Sequence, residues 1–120
     1  EHKIVFKMLD KPVIKQIARK NLDVLNKRMF KQGAYLVFDQ KLLDYLADNG
    51  TDLNNGARPL ARLINRVVLA PIARQLVNLE KKKGYAYEFR AEVIGKAPTN
   101  EDELIDHRKV IFHTRKVKIK

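Results

Sequence analysis

The chain of 120 residues contains no cysteine and no serine. It can therefore form no disulfide, and it offers neither a thiolate nor a serine hydroxyl as a nucleophile. Its three threonines, Thr51, Thr99 and Thr114, lie near no convincing general base. The missing disulfides fit a reducing, intracellular compartment; the cytoplasm is favoured, and an organelle matrix is the alternative.

Long hydrophobic runs are also missing. No apolar stretch approaches the roughly 18 residues of a transmembrane helix, and no signal-peptide segment is present, so no membrane partner is expected. The length suffices for one domain with a modest core, and an apolar fraction of 45% is typical of a globular protein. The chain starts at Glu1 without an initiator methionine, so we expect it to be a piece of a longer polypeptide.

Two kinds of binding site are absent from the sequence. A phosphate-binding loop has the pattern Gly-x-x-x-x-Gly-Lys-Ser/Thr, but the pair Gly95-Lys96 is followed by Ala97 and lacks the earlier glycine. The chain therefore cannot bind and hydrolyse a nucleotide by itself in the P-loop manner. A metal site is not expected either, because no histidine stands at ligand spacing from another or from nearby acids. The histidines are His2, His107 and His113.

Positive charge is in excess. The formal net charge is +11, with nine lysines and arginines against three acids in residues 1–33 and eleven against six in residues 81–120. A basic surface of this kind can attract nucleic acid or acidic protein segments. A solvated helix face is the simpler explanation, and composition leaves both explanations open.

The first of three helical patterns begins at Asp10, a good N-cap residue, with Pro12 in the first turn. It ends at Gly33, which is typical of the position after a helix. Its apolar positions recur every three or four residues, as on one face of a helix. They are Ile14, Ala18, Leu22, Leu25 and Met29.

Two further helices follow. Asp39 is the predicted cap of the second, which ends at Asn49-Gly50 with Leu42, Leu43 and Leu46 turned inward. The third is marked by Leu60, Leu63, Ile64, Val67 and Val68, and its apolar face continues at Ile72, Leu76 and Leu79. Pro71 lies within it, and because proline has no N–H to donate we expect a kink or a break there.

The remaining patterns indicate strands. Lys3–Leu9 is a strand or an extended lead-in, and Tyr35–Phe38 is a short strand. After Gly84, an apolar stripe alternates with polar positions; it consists of Tyr85, Tyr87, Phe89, Ala91 and Val93, opposite Glu88, Arg90 and Glu92. Lys109–Lys120 is a final strand whose apolar positions switch parity, which suggests a bulge near Arg115.

The order of these elements predicts a small α+β domain. About three helices would pack with a small, mostly antiparallel sheet. A hairpin of the last two strands would lie over the helices and bury the aromatic stripe.

One arginine has no obvious partner. The polar stretch Gly50–Leu60 delivers Arg58 to the start of the third helix, where a guanidinium can face an anion outside the domain. Without further context, a local pairing with Asp52 or with a helix-terminal carbonyl is favoured.

This region resembles the C-terminal small subdomain of a Clp-type AAA+ ATPase. The resemblance rests on Gly56-Ala57-Arg58-Pro59-Leu60, followed by Leu63-Ile64 and Pro71-Ile72-Ala73. It covers residues 3–95 and is closest to the second ATPase module of ClpB-type disaggregases. Accordingly, residues 1–95 are expected to form an AAA+ small subdomain, and residues 96–120 a charged loop and a basic strand that extend the same domain.

The resemblance implies a role for the loop. It identifies Arg58, next to Ala57, as the sensor-2 arginine, which contacts the phosphates of ATP. The ATP, with Mg²⁺, would be held mainly by a large subdomain outside this chain. Ile14 and Ile17 would help to close the adenine pocket. This fragment alone is expected to hold no cofactor and no metal and to have no activity.

The resemblance also implies partners. The chain would be the lid of an ATP-driven protein unfoldase or disaggregase chaperone and would contribute to hexamer assembly. Its partners would be the large AAA+ subdomain of the same polypeptide, neighbouring subunits of a homohexamer, and unfolded or aggregated protein clients. Nucleic acid is not an expected partner.

Two alternatives remain. One is a basic nucleic-acid-binding module that uses the helix over residues 11–31 and the strand Lys109–Lys120. The aromatic residues lie on a core stripe rather than among the lysines, which argues against a stacking platform. The other is a non-catalytic adaptor or oligomerisation domain, in which Arg58 would be dispensable for ATPase activity.

The loop departs from the family pattern at Thr51 and Asn55, where an aromatic residue is usual.

Overall fold

The fold combines helices with a small mixed sheet. The computed structural model describes residues 11–50, 58–80, 83–96 and 107–119, with the side chain of Arg58 left out. The elements in chain order are α1 (Lys11–Phe30), β1 (Ala34–Val37), α2 (Gln40–Asn49), α3 (Arg58–Ile64), a π-helical turn (Asn65–Leu69), α4 (Ala70–Val77), β2 (Tyr85–Ile94) and β3 (Lys109–Lys118). This confirms the predicted α+β class. The predicted lead-in Lys3–Leu9 and the predicted cap Asp10 lie outside the described residues.

The first helix buries the face that the sequence predicted. All five predicted positions are buried: Ile14, Ala18, Leu22, Leu25 and Met29. Gly33 follows the helix with a φ of 85°, a left-handed conformation that favours glycine, and its N–H donates to the carbonyl of Phe30 at 3.0 Å. The side-chain amide of Asn26 both donates to the carbonyl of Leu36 and accepts from its N–H, at 3.0 and 2.8 Å. β1 is thereby held against α1.

The second helix begins and ends where the sequence predicted. The carboxylate of Asp39 accepts a hydrogen bond from the N–H of Leu42 at 3.3 Å, which satisfies one of the free donors at the helix start. The predicted inward positions are buried: Leu42, Leu43 and Leu46. Gly50 follows the last residue of α2 and is itself buried.

Pro71 does not end the third helix. It follows the π-helical turn, in which the N–H of Ala70 donates to the carbonyl of Asn65. Leu69 and Ala70 keep right-handed helical dihedrals, so the chain passes from the π-helical turn into α4 without leaving the helix. Because a π-helical turn contains an extra residue, it relieves the crowding that the proline ring causes in a regular helix. The predicted interruption is therefore a π-helical turn rather than a break.

The sheet has the order β1-β2-β3. β1 pairs in parallel with β2 along Ala34–Val37, and β2 pairs antiparallel with β3 along Tyr85–Ile94. The antiparallel ladder is the longer of the two, as predicted. The helix-facing side of the hairpin closes the core: Phe89 is fully buried, and Tyr87 and Phe112 pack against the core from its edge.

The predicted bulge near Arg115 is wrong. Each residue of β2 faces a single residue of β3 along the whole ladder, so no extra residue is inserted. The parity switch has another cause. Phe112 lies on the side of the sheet that packs on the helices, whereas Val117 is opposite Ala86 on the other side and is half-buried there. The apolar residues thus lie on both faces of one regular strand.

Candidate functional site

The candidate site is the loop that leads to Arg58. The structure places Arg58 at the first residue of α3, as the sequence predicted. Residues 51–57, which include Ala57, and the side chain of Arg58 lie outside the described residues. A contact between Arg58 and a phosphate therefore stays a prediction. The structure does show how the two ends of the loop are held.

The two ends of the loop meet at Gly50 and Leu60. Leu60 lies in the first turn of α3 and has no exposed surface. It packs so closely on Gly50 that a Cβ atom on Gly50 would lie 2.6 Å from the Cδ1 atom of Leu60. The same Cβ atom would lie 2.6 Å from the carbonyl oxygen of Leu46. α3 therefore starts directly against the end of α2.

The end of α2 is held by ion pairs on two sides. Asp48 contacts Lys11 of α1 at 3.1 Å and Arg108, just before β3, at 2.9 Å. The guanidinium of Arg108 also lies over the ring of Tyr45, 5.2 Å from its centroid. These contacts join α1, α2 and the start of β3 at the base of the loop. The sequence alone does not reveal the role of Arg108, because the contact depends on how distant segments fold together.

The two isoleucines predicted to border the nucleotide lie in different environments on α1. Ile14 is only 2% exposed and belongs to the core. Ile17 is half-buried and packs against the edge of the core. In the described part of the chain, Ile17 thus offers more surface to a ligand than Ile14 does. The nucleotide-binding role of both residues stays a prediction.

The basic residues of α1 and β3 are partly paired with acids. On α1, a hydrogen bond from Lys15 at 2.8 Å, helped by the charge of Lys11, holds the pKa of Asp44 below its usual value. On β3, the guanidinium of Arg115 donates two hydrogen bonds to Glu88, at 2.8 and 3.3 Å. Part of the positive charge on α1 and β3, the two elements of the alternative nucleic-acid-binding surface, is therefore neutralised within the domain.

A polar network crosses the sheet face that points away from the helices. The hydroxyl of Tyr35 on β1 donates to Glu88 on β2 at 3.0 Å, and Glu88 also accepts from Arg115 on β3. The hydrogen bond from Arg115, aided by Tyr35, holds the pKa of Glu88 below its usual value. Burial, together with the nearby carboxylate, raises the pKa of Tyr35. The sequence placed Glu88 on this face but could not show its partners, because these depend on strand order.

Neither a metal-ligand cluster nor a membrane-spanning helix is found within the described ranges. Among residues 11–50, 58–80, 83–96 and 107–119, no group of three or more acidic or histidine side chains is placed to hold a metal ion. His113 contacts Glu92 at 2.6 Å across the hairpin, which is a pair rather than a cluster. None of the helices in the same ranges is long and apolar enough to cross a membrane.

The amino-acid sequence of this chain is similar to those of known proteins. A profile of the family described as the C-terminal, D2-small domain, of ClpB protein matches residues 9–89. The chain is 36% identical over 110 residues to the chaperone protein ClpB of Mycoplasmoides gallisepticum, which covers 90% of this chain and 14% of that protein. Over 89 residues it is 36% identical to the chaperone protein ClpB of Rickettsia prowazekii, which covers 74% of this chain and 10% of that protein. The corresponding protein of Rickettsia conorii is 37% identical over 89 residues, with the same coverage of 74% and 10%.

The matched region contains the candidate site. It runs from before α1 into β2 and includes Gly50, Arg58 and Leu60. The chain spans between 10% and 14% of the length of these curated relatives. Its α+β architecture is consistent with an AAA+ small subdomain. The predicted resemblance is confirmed, and the chain belongs to the family of the C-terminal, D2-small domain of ClpB protein.

Proposed function

We propose that this chain is the C-terminal lid subdomain of an ATP-driven protein unfoldase or disaggregase chaperone, with Arg58 as its sensor-2 arginine. The observation that carries the proposal is the start of α3, where Arg58 is the first residue of a helix packed against the held end of α2. Residues two apart are separated by about 200° around a helix. Helix geometry therefore predicts that position 58 lies on the side of α3 opposite to the buried Leu60.

In this proposal the nucleotide is ATP with Mg²⁺, held mainly by a large subdomain of the same polypeptide. The chain supplies a cation and not a phosphate pocket, which agrees with the lack of a phosphate loop in its sequence. A guanidinium that contacts the terminal phosphates stabilises the negative charge that develops during hydrolysis. Because the first turn of α3 is packed into the domain through Leu60, a movement of the lid as a body would carry Arg58 with it. Hydrolysis is thereby coupled to that movement.

The proposal extends to assembly and location. Neighbouring subunits of a homohexamer and unfolded or aggregated proteins are the proposed partners, since the relatives are named chaperone proteins. Those relatives come from bacteria, which supports the cytoplasm over an organelle matrix. The division into residues 1–95 and an extension at residues 96–120 stays a prediction. It is supported by the pairing of β3 with β2 within one sheet.

The experiment is Arg58→Ala in the full-length polypeptide that carries this domain, with ATP hydrolysis by any other ATPase module of that polypeptide abolished by mutation, so that only the module of this domain is measured. Steady-state ATP hydrolysis is expected to fall by about 100-fold in kcat, the usual loss when one group that stabilises transition-state charge is removed. The thermal unfolding temperature should stay that of the wild type, since helix geometry predicts position 58 opposite to the buried Leu60.

Arg62→Ala is the matched control, because Arg62 is an exposed arginine one turn further along α3. It removes the same charge and should leave kcat unchanged. Wild-type turnover in Arg58→Ala would refute the sensor-2 role and favour the adaptor or oligomerisation alternative.

A further inference from the structure

We infer that Gly50 is the positioning residue for Arg58. The lack of a side chain at position 50 determines where α3 starts, and α3 determines where Arg58 is presented. This inference rests on the proposed sensor-2 role and adds a second residue to it. Gly50 acts only through Arg58 and touches no nucleotide itself.

The backbone of Gly50 does not require glycine. Its φ of −99° and ψ of 12° are open to any residue. Gly33 is different, because its φ of 85° lies in the left-handed region. What requires glycine at position 50 is space. A Cβ atom there would meet the Cδ1 atom of Leu60 and the carbonyl oxygen of Leu46 at 2.6 Å each, and the Cα atom of Leu60 at 3.1 Å.

Adding that Cβ atom would force α2 and α3 apart. Carbon atoms in contact lie about 3.5 to 4 Å apart, so the Cδ1 atom of Leu60 would have to move by roughly 1 Å and its Cα atom by roughly 0.5 Å. Leu60 has no exposed surface, so its side chain cannot turn into solvent to make room for the Cβ atom. The displacement must therefore be taken up by one of the two helices.

The contacts of the two helices decide which one moves. The end of α2 is held from two sides, because Asp48 pairs with Lys11 and with Arg108. Leu46, one turn before Gly50, is fully buried. The displacement therefore falls on the first turn of α3, which begins at Arg58. A shift of about 1 Å in a group that must meet developing charge can lower a rate by roughly 100-fold.

The test is a double-mutant cycle in the full-length polypeptide, in the same background in which any other ATPase module is inactive. Gly50→Ala should lower kcat for ATP hydrolysis by about 10- to 100-fold, while the affinity for ATP changes much less. In the Arg58→Ala background, Gly50→Ala should lower kcat no further, because the group through which it acts is already gone. Loss of stability alone would lower kcat by the same factor in both backgrounds.

Gly33→Ala is the glycine control. A Cβ atom on Gly33 meets nothing within 4 Å, so this variant has backbone strain without a clash. It is expected to keep wild-type turnover. Equal turnover in Gly50→Ala and Gly33→Ala would overturn the inference.

A second pair of variants covers the case in which Gly50→Ala fails to fold. Leu60→Ala loosens the same contact from the other side, and Leu22→Ala truncates an equally buried leucine of α1. Both should lower the unfolding temperature by similar amounts, but only Leu60→Ala should lower kcat, and only when Arg58 is present. Equal turnover in these two variants overturns the inference.

The outcomes also separate this inference from the proposed function. Wild-type turnover in Arg58→Ala refutes the sensor-2 role and the inference together. A large loss in Arg58→Ala, combined with the same loss for Gly50→Ala in both backgrounds, keeps the sensor-2 role and overturns the role of Gly50.

Discussion

Arg108 and Asp48 form an ion pair with 2.9 Å between Nη2 and Oδ2, although sixty positions separate them in the sequence. Arg108 is only 9% exposed, and its guanidinium covers the ring of Tyr45. Arg108 lies beyond the region that matches the ClpB family profile, and Asp48 lies within it. The pair therefore ties the last part of the chain to the helix on which α3 rests.

Arg108→Ala is expected to destabilise the domain. It removes a hydrogen bond between charged groups and the packing on Tyr45, and a bond of this kind contributes about 1.5 to 3 kcal/mol. Because Asp48 is one-third exposed and can regain water, we expect a loss of about 1 to 2 kcal/mol in the free energy of unfolding. Urea denaturation of the 120-residue chain measures it. Arg108→Lys keeps the charge but not the planar group. Its free energy of unfolding should lie between those of the wild type and Arg108→Ala. Unchanged stability in Arg108→Ala would contradict the structural role.

Removal of β3 is expected to lower the thermal stability of the domain. A chain that ends at Gly95 loses the antiparallel partner of β2 and the cover that Phe112 gives to the core. Circular dichroism should show a transition at least 10 °C lower than that of the full chain, since a loss of 1 kcal/mol shifts a domain of this size by about 4 to 8 °C. A chain that ends at Lys118 keeps the whole ladder and is the control. If the chain that ends at Gly95 melts like the full chain, β3 is an appendage rather than part of the folding unit.

The sequence predicted those parts of the fold that depend on neighbouring residues. The buried face of α1 follows from periodicity alone, and the start of α2 follows from the capping carboxylate of Asp39. The alternation of β2 predicted its buried side correctly, because successive side chains of a strand point to opposite faces.

What the sequence could not reveal depends on contacts between distant segments. Tyr35 and Arg115 meet at Glu88 only because β2 lies between β1 and β3. The sequence indicates Gly50 as a loop boundary. The need for glycine there comes from the packing of Leu60, which appears only when α3 is placed against α2. The parity switch in β3 did not require a bulge, because one regular strand can have apolar residues on both faces of the sheet. The sequence alone does not show which residues of β3 lie on each face.

Glu88 is expected to contribute a pH-dependent part of the stability. Its pKa in the folded state is below the usual value, chiefly because Arg115 hydrogen-bonds to the carboxylate. A lowered folded pKa adds stability above the unfolded pKa, about 4.3 for Glu, and that stability is lost as the pH falls through the folded pKa. Glu88→Gln should therefore be less stable than the wild type at pH 7, and the gap should narrow towards pH 3.

Glu80→Gln is the control for this titration, because Glu80 is an exposed carboxylate outside the network. Denaturant melts at several pH values measure the gap. Asp44 and Glu92 also have lowered pKa values, so Glu88→Gln should retain part of the acid sensitivity of the wild type. A pH profile for Glu88→Gln that runs parallel to the wild type would show that the network contributes nothing.

The isolated chain is expected to bind nucleic acid only non-specifically and at low salt. Its net charge of +11 attracts phosphates, but Lys15 and Arg115 are already paired with acids of the domain. Fluorescence anisotropy with labelled DNA and RNA, titrated against salt, should give a dissociation constant no tighter than the non-specific range of about 10⁻⁴ to 10⁻⁶ M near physiological salt. Tighter binding there, weakened by Lys27→Gln on the exposed surface of α1 and by Lys31→Gln in the exposed turn after it, would instead establish a nucleic-acid-binding module.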